Sequence, residues 1–196
     1  MQDNPQIILI CCEGKVTEKL YFEIIQNTFR VANISIHIFP KAGQHYHLID
    51  KSFDTKREFA EEFGFELDDI EVWAVCDRDN LKDSFTKLKD YAEQHGVDLA
   101  FSDPQFENYL LQHFGSPNNC HKRGFELEQE LTATLLNHGV GVAYDKSNLR
   151  WLAVMIDQKP RLVEEAIRHA DAYSVHSKQP FFTIQRLIER ILSFRA

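Results

Sequence analysis

The sequence of 196 residues is 43% hydrophobic and carries a formal net charge of −8. Its length suits one domain with an elaborated second half, and it is enough to bury a substantial core. The longest apolar runs, residues 7–12 and 72–76, are much shorter than the roughly 20 residues that a membrane-spanning helix needs. We therefore expect no transmembrane helix, and the net charge argues against a uniformly basic surface for nucleic acid.

The cysteines and the N-terminal residues both indicate a protein of the reducing cytoplasm. Residues 1–5 contain neither the basic segment nor the long apolar stretch of a secretory signal. Cys11, Cys12 and Cys76 fall within apolar runs that are typical of strands, and only Cys120 lies in a polar stretch. We interpret these cysteines as buried, reduced thiols.

A zinc site is the alternative use of the cysteines and histidines. Its ligands would come from His113, Cys120 and His121, or from the pair His45 and His47. No Cys-x-x-Cys motif accompanies these residues, and histidines in polar loops are more often solvated than bound to metal. We therefore favour solvated histidines over a zinc site.

Charged residues are unevenly distributed along the chain. Residues 1–119 contain 11 basic and 21 acidic side chains, whereas residues 120–196 contain 11 and 9. Metal ions of the Mg²⁺ type need carboxylates, and phosphate groups need cations. The first segment is therefore the expected location of a metal site, and the second is the better candidate for phosphate contacts.

The first two thirds of the chain alternate apolar runs with amphipathic helical patterns, which predicts crossover connections and a mostly parallel sheet flanked by helices. The first and third runs are continuous, so we expect those strands to be buried on both faces. The predicted strands are residues 7–12, 34–39, 70–76 and 97–101. The first predicted helix begins at Thr17, the next two cover residues 47–62 and 80–95, and the fourth follows a cap at Ser102 or Asp103.

The pattern becomes helical after the Gly-Ser-Pro-Asn-Asn loop at residues 115–119. The last helix is the clearest, because apolar residues from Ile184 to Leu192 recur at helical spacing behind a cap at Thr183. No flexible linker is evident between the two parts. We predict an α/β core over residues 1–114 and, over residues 115–196, a helical extension packed on it in the same compact unit.

Carboxylates follow the two strands that are predicted to be most buried. Glu13 comes directly after the first strand, and Asp77 and Asp79 come at the end of the third. Because the carboxyl ends of parallel strands meet at one edge of a sheet, where helix N-termini also point, we expect these side chains to converge. Such carboxylates repel one another unless a cation lies between them, and oxygen ligands select Mg²⁺ or Mn²⁺. The predicted chemistry is phosphoryl transfer.

Each of these acids also has an ordinary structural interpretation. Asp79 or Asn80 would cap a helix that begins near Leu81, and Glu13 with Gly14 would form a simple turn. For any one residue the structural interpretation is the better one. Three carboxylates at neighbouring strand ends together favour the metal site.

Three short motifs occur in an order that makes them informative as a set. They are Cys-Glu-Gly-Lys-Val-Thr-Glu at residues 12–18, Asp-Arg-Asp-Asn at 77–80 and Ser-Asp-Pro-Gln-Phe-Glu at 102–107, followed by Tyr-Asp-Lys at 144–146. In this order they resemble the RloB-like family, which is similar to Toprim domains, is associated with bacterial restriction and abortive-infection loci, and is often encoded beside an ATPase. The likeness spans most of the chain. The sequence departs from the family pattern at residues 103–105, which leaves the contacts of that loop open.

The resemblance implies roles for individual residues. Glu13 would be the Toprim glutamate, a metal ligand or general acid/base, and Asp77 and Asp79 would be the metal-binding pair. Glu107 would be a fourth carboxylate, available to a second metal. Glu107 also borders the apolar stripe of its own helix, where a carboxylate is costly unless it is ligated or hydrogen-bonded.

Three cations are candidates for contact with substrate phosphates. Lys15 and Arg78 lie inside the acidic motifs, and Lys146 lies in the later Tyr-x-Lys stretch. We also count Lys146 among the catalytic residues, with the four carboxylates. The ordinary alternative for each is a solvated cation that balances the acids.

The sequence lacks the motifs of other enzyme classes. It contains neither the Gly-x-x-x-x-Gly-Lys-[Ser/Thr] of a self-contained ATPase nor the Gly-x-Ser-x-Gly of a serine hydrolase. A haloacid-dehalogenase-type phosphatase carries its Asp-x-Asp after the first strand, where this sequence has Glu-Gly.

We therefore expect a Mg²⁺- or Mn²⁺-dependent nuclease that acts on DNA or RNA in bacterial anti-phage defence, with an ABC- or AAA-type ATPase as partner. The alternative is a catalytically inactive Toprim-like module that docks on an ATPase, which the net charge slightly favours. Phe181, Phe182 and Phe194 would offer apolar surface to that ATPase or to a second copy of the chain, unless they close the core.

Overall fold

The computed structural model describes residues 6–29, 34–115, 122–173 and 179–195. Its strands are β1 (Gln6–Cys12), β2 (Ile34–Phe39), β3 (Ile70–Asp77), β4 (Asp98–Asp103) and β5 (Phe181–Phe182). Its α-helices are α1 (Thr17–Phe29), α2 (His45–Phe63), α3 (Phe85–Gln94), α4 (Phe106–Leu110), α5 (Gly124–Asn137), α6 (Arg150–Gln158), α7 (Leu162–Asp171) and α8 (Ile184–Leu192), with 3₁₀ turns at Leu67–Asp69 and Leu111–Phe114.

The strands form one sheet in the order β2-β1-β3-β4-β5. All neighbouring strands are parallel except the pair of β4 and β5, which is antiparallel. Helices cover both faces of this sheet. The structure thus confirms the predicted α/β fold with a mostly parallel sheet flanked by helices.

Two hydrophobic layers hold the helices on the sheet. Alternate residues of β1 point to opposite sides, so that Ile8 and Ile10 pack with α1 and with the helices α4 to α8, whereas Ile7 and Leu9 pack with α2 and α3. Both faces of β1 and β3 are covered, which is the physical reason for their continuous apolar runs. The predicted double-sided burial of these two strands is confirmed.

The described cysteines are buried free thiols, as predicted. Cys11, Cys12 and Cys76 lie in the two central strands. Burial raises the pKa of the Cys12 and Cys76 thiols well above its usual value, so these groups are neutral. Cys120 lies outside the described residues.

Two predicted helix caps are wrong. Helix α3 begins at Phe85 behind Ser84, whose hydroxyl accepts the backbone N–H of Lys87 at 3.3 Å, so neither Asp79 nor Asn80 caps it. Ser102 and Asp103 are the last residues of β4 rather than caps of α4. The cap of α4 is instead Gln105, whose backbone N–H donates to Asn108 Oδ1 at 3.1 Å.

The second part of the chain is not purely helical, since it supplies the edge strand β5. The side chains of Phe181 and Phe182 are buried, so they close the core and are not a surface for a partner. Thr183 does not cap α8 with its side chain, because its hydroxyl accepts the Phe101 N–H and donates to the Leu99 carbonyl, each at 2.9 Å. The boundary after residue 114 stays a prediction.

No helix in the part of the chain that the structure describes has the length and apolar character needed to cross a membrane.

The order of the strands creates a crevice at the carboxyl ends of β1 and β3. After β1 the chain crosses to β2 on one side and then returns to β3 on the other, and ligands of open α/β sheets bind at such a switch point. Cys12 pairs with Val75, and the Glu13 N–H donates to the Val75 carbonyl at 2.9 Å. Glu13 and Asp77 therefore flank this crevice.

Candidate acidic metal site

Four carboxylates from different elements surround the crevice. We call them the acidic cluster: Glu13 after β1, Glu18 in the first turn of α1, Asp77 at the end of β3 and Glu107 in the first turn of α4. They are linked electrostatically, because Glu18 raises the pKa of Asp77 and is itself affected by Glu13 and Glu107. The N-termini of α1 and α4 point towards this edge of the sheet, as they do in other βα units.

Asp77 lies at the centre of the cluster. It accepts a hydrogen bond from the Ser102 hydroxyl of the neighbouring strand and another from the backbone N–H of Phe106. Some of its surface stays exposed, yet its carboxylate is enclosed by protein, and this burial raises its pKa well above the usual value. The negative charges of Glu18 and Glu107 raise the pKa further.

Glu18 is the member that the sequence analysis missed, because an acidic residue in the first turn of a helix is ordinary there. Only 8% of its surface is exposed, and its carboxylate accepts the backbone N–H of Gly14. Burial, and then the charges of Glu107 and Glu13, raise its pKa to about 7. The available signal was its place in the helix that directly follows β1 and Glu13.

Glu13 has an unusual local environment. Its Oε2 is buried and has no hydrogen-bond partner among the described residues. Burial raises the pKa of Glu13, while His45, the Gln44 side chain and the Asp77 backbone N–H lower it. The charge of Asp79 raises it again. A buried carboxylate oxygen without a partner is costly, so a bound cation would stabilise it.

The loop before α2 brings Gln44 and the first residue of α2, His45, to the crevice. It is attached to the end of β1 by hydrogen bonds from the Lys41 N–H to the Gly14 carbonyl at 3.3 Å and from the Ala42 N–H to the Cys12 carbonyl at 3.0 Å. His45 Nε2 lies 3.0 Å from the Asp77 carbonyl oxygen. His45, one of the two histidines of the zinc alternative at His45 and His47, thus contacts the backbone of the acidic cluster.

Glu107 is buried and is held by residues from the second part of the chain. The Tyr144 hydroxyl donates to Glu107 Oε1 at 3.1 Å, and Lys146 Nζ lies 3.9 Å from the same oxygen. Burial, and then the charge of Glu107, raise the pKa of Tyr144, so its hydroxyl stays protonated and donates. Of the two ways to stabilise a carboxylate beside an apolar stripe, metal ligation and hydrogen bonding, the structure shows the hydrogen bond.

The remaining predicted site residues lie at the edge of the cluster. Asp79 is exposed on the turn after β3, and Lys15 is exposed on the turn after β1. Arg78 Nε lies 3.6 Å from Asp103 Oδ2, which balances that acid. The structure therefore couples Asp77 to Glu18 and Glu107, and it couples Glu13 to Asp79 and to Glu18.

Lys146 is the cation closest to the buried part of the cluster. Its ammonium group also lies 3.0 Å from Glu128 Oε1. Burial alone would lower its pKa, but Glu128, Glu107 and Asp77 together raise it. Lys146 is therefore charged and faces the crevice from the side of the second part of the chain.

His113 is a neutral core residue. Its Nδ1–H donates to the Leu110 carbonyl at 3.1 Å, and its Nε2 lies 3.2 Å from the Tyr21 hydroxyl. Burial lowers its pKa to about 4. Cys120 and His121, the other two residues of the zinc alternative that includes His113, lie outside the described residues.

The donors of the acidic cluster fit a hard divalent cation in kind. All are carboxylate oxygens, one of them is buried without a partner, and the pKa values of three are raised, partly by one another. In the described part of the chain, however, no three His, Cys, Asp or Glu side chains are positioned to hold one ion together. Side chains of the cluster would therefore have to rotate to share a metal.

Comparisons with known proteins give one family. The family model described as RloB-like protein matches residues 8–191, nearly the whole chain. Searches of curated proteins and of solved structures give no match.

Proposed function

Because this chain belongs to the RloB-like protein family, and because its acidic cluster lies at the switch point of the sheet, we propose that it is a Mg²⁺- or Mn²⁺-dependent, Toprim-type nuclease. Its substrate would be the phosphodiester backbone of DNA or RNA. The observation that carries the proposal is the burial of mutually repelling carboxylates at one crevice, an arrangement that is unfavourable without a cation.

The residues of the crevice divide into two roles. Glu13, Asp77 and Asp79 would hold the ion, and Glu107 would hold a second one. A divalent ion at such a site activates water and stabilises the leaving oxygen. The cations Lys15, Arg78 and Lys146 would contact substrate phosphates, and Lys146 is the best placed of them because it already lies beside Glu107.

The family resemblance also supports a biological role in bacterial anti-phage defence, with an ABC- or AAA-type ATPase as partner. The chain lacks a phosphate-binding loop of its own, so ATP hydrolysis would have to come from that partner. Co-purification with a genomically adjacent ATPase tests this part of the proposal. A second copy of the chain is the other proposed partner.

Isothermal titration of Mn²⁺ and a cleavage assay on DNA and RNA test the nuclease. We expect Asp77→Asn to abolish both Mn²⁺ binding and cleavage. The matched control is Asp83→Asn, since Asp83 follows the same strand but interacts with Tyr46 and Lys87 instead of the acidic cluster. Full cleavage by Asp77→Asn in excess EDTA would refute the proposal.

The net charge of −8 favours a second candidate, a catalytically inactive module that regulates an ATPase. Acidic proteins hold polyanions poorly without metal or a basic partner. The two candidates differ in one measurement. Mn²⁺ binding that does not depend on Asp77, or no binding, would favour the inactive module.

A further inference from the structure

A cavity lies beside the segment that carries Tyr144 and Lys146. Its volume is about 480 Å³, within the usual range of small-molecule sites. Helix α6 and the loop after α5 line it. Its apolar walls include Val140, Val142, Val154 and Met155, together with the indole of Trp151.

Two cations line the same cavity. Arg150 and Lys159 are exposed, and neither lies within ion-pair distance of a carboxylate in the part of the chain that the structure describes. The cavity's one acid, Asp145, is occupied by its own turn, because the backbone N–H and the hydroxyl of Ser147 donate to it at 2.8 and 2.7 Å. These bonds keep Asp145 ionised, but Arg150 and Lys159 outnumber it, so the lining has a net positive charge in a chain of net negative charge.

Trp151 adds an aromatic side chain to this lining. Only 6% of the residue is exposed, and its indole N–H is buried without a hydrogen-bond partner among the described residues. Its ring also offers a flat face for stacking.

We propose that this cavity binds a small organic anion with a planar ring, of the size and chemistry of a nucleoside monophosphate. The ring packs between Trp151 and the valine walls, and the phosphate binds Arg150 and Lys159. This site is separate from the acidic cluster and does not depend on the proposed nuclease activity.

The cavity nevertheless shares a wall with the acidic cluster. Val142 and Asp145 line the cavity, while the residues between and after them, Tyr144 and Lys146, contact Glu107. A ligand in the cavity therefore contacts the same segment that holds Glu107.

Tryptophan fluorescence provides a direct test. The chain has two tryptophans, Trp73 and Trp151, so Trp73→Phe leaves Trp151 as the only reporter. We expect AMP, GMP, CMP or UMP to change its emission with saturation, and the nucleoside of the best binder to bind at least about tenfold more weakly, a difference of about 1.4 kcal/mol. Inorganic phosphate alone should not reproduce the change.

Val154 offers a matched pair of variants, because 56% of it is exposed and its replacement leaves the core intact. In the Trp73→Phe background, Val154→Glu should weaken binding about tenfold or more, since it places a negative charge at the cavity, whereas the uncharged Val154→Gln should have a much smaller effect. The double variant Arg150→Gln, Lys159→Gln should also lose binding. Its charge-matched control is Arg57→Gln, Lys87→Gln, on helices of the opposite face of the sheet.

The titrations are repeated with Asp77→Asn added, so that the result for the cavity is independent of the proposed nuclease site. Binding that survives Asp77→Asn and is lost in Val154→Glu supports the proposal even if the chain is not a nuclease. Unchanged Trp151 emission with all four nucleotides up to about 5 mM, or equal binding by Val154→Glu and Val154→Gln, would overturn it.

Discussion

The carboxylate of Glu18 lies directly over Gly14. A Cβ placed on Gly14 would come within 1.9 Å of Glu18 Oε2, a distance that no real contact of this kind has. The glycine of the Glu-Gly motif therefore has a specific physical role, which is to leave room for a carboxylate from the next helix. The Gly14 N–H also donates to that carboxylate, so the two residues form one local unit.

Gly14→Ala should displace the Glu18 carboxylate while the fold remains. The carboxylate is the end of a flexible side chain, so we expect a stability loss of only about 1 kcal/mol and a clear loss of Mn²⁺ affinity. Urea unfolding and isothermal titration measure the two effects. In a Glu18→Ala background the same substitution should change little, and an equally large effect there would show that Gly14 acts through another contact.

The raised pKa of Glu18 predicts a dependence of stability on pH. Its pKa is about 7 in the folded protein and 4.5 in the unfolded chain, so between these values the folded state binds more protons. The free energy of unfolding of the metal-free protein should therefore fall as the pH rises from about 5 to about 8, by up to about 3 kcal/mol from this residue. Glu13 and Asp77 act in the same direction.

Glu18→Gln should remove the part of this dependence that Glu18 contributes, because the amide keeps the shape and loses the charge. Urea unfolding in EDTA at the two pH values measures it, with Glu23→Gln as a control on the exposed face of the same helix. Mn²⁺ should raise the stability of the wild type more at the higher pH. A wild type that becomes more stable with rising pH would contradict the assignment.

Much of the central fold follows from the residues alone. Continuous apolar runs identify β1 and β3 because both faces of these strands are covered. Helix α2 ends at Phe63, one residue beyond the predicted range 47–62, where Gly64 adopts a φ of 74°. The sequence predicts Glu13 and Asp77 as site residues because it predicts where the two central strands end. Glu107 was placed by the resemblance and by its position beside an apolar stripe.

What the sequence does not show depends on contacts between distant segments. The position of the Glu18 carboxylate depends on Gly14, and its raised pKa depends partly on the charge of Glu107. Glu107 in turn accepts a hydrogen bond from Tyr144, 37 positions later. The edge strand β5 has only two residues and no periodicity that could reveal it. Ser102 is an ordinary polar residue until β4 pairs with β3 and brings its hydroxyl to Asp77.

Tyr144→Phe tests whether Glu107 must be held in place. The substitution removes only the hydroxyl that donates to Glu107, so the fold should be intact while metal affinity or cleavage falls by about tenfold or more. Tyr91→Phe is the matched control, because the Tyr91 hydroxyl donates to an exposed carboxylate, Asp50, at 2.7 Å. Equal effects of the two substitutions would remove Tyr144 and Glu107 from the proposed site.

Asp79→Ala separates the exposed member of the predicted metal pair from the buried one. Asp79 is exposed, so its removal should leave the stability of the metal-free protein nearly unchanged, whereas Asp77→Asn should raise it at about pH 8 by removing a buried charge. Both should lower cleavage by orders of magnitude if both carboxylates hold the ion. If the protein acts in abortive defence, which stops the growth of the host cell, expression with the proposed ATPase partner should be toxic for the wild type and harmless for Asp79→Ala. Toxicity equal to that of the wild type would refute the catalytic role of Asp79.

Lys146→Ala tests the contact between the second part of the chain and substrate phosphate. The ammonium group lies between Glu107 and Glu128 at the edge of the acidic cluster, so a phosphate that binds the metal would also come within its reach. Removing one phosphate contact should weaken nucleic-acid binding for all sequences and reduce the slope of log affinity against log salt by about 1. Mn²⁺ binding should persist, because Lys146 is not a ligand.

Filter binding or fluorescence anisotropy at several salt concentrations measures that slope, with Ca²⁺ in place of Mg²⁺ to limit cleavage. Lys89→Ala is the control, since Lys89 also pairs with a glutamate, Glu93, but lies on α3 across the sheet. If the two lysine variants keep the same salt slope as the wild type, Lys146 balances Glu107 and Glu128 and does not bind substrate. If Lys146→Ala instead loses Mn²⁺, its role is to hold Glu107 in the orientation that the metal requires.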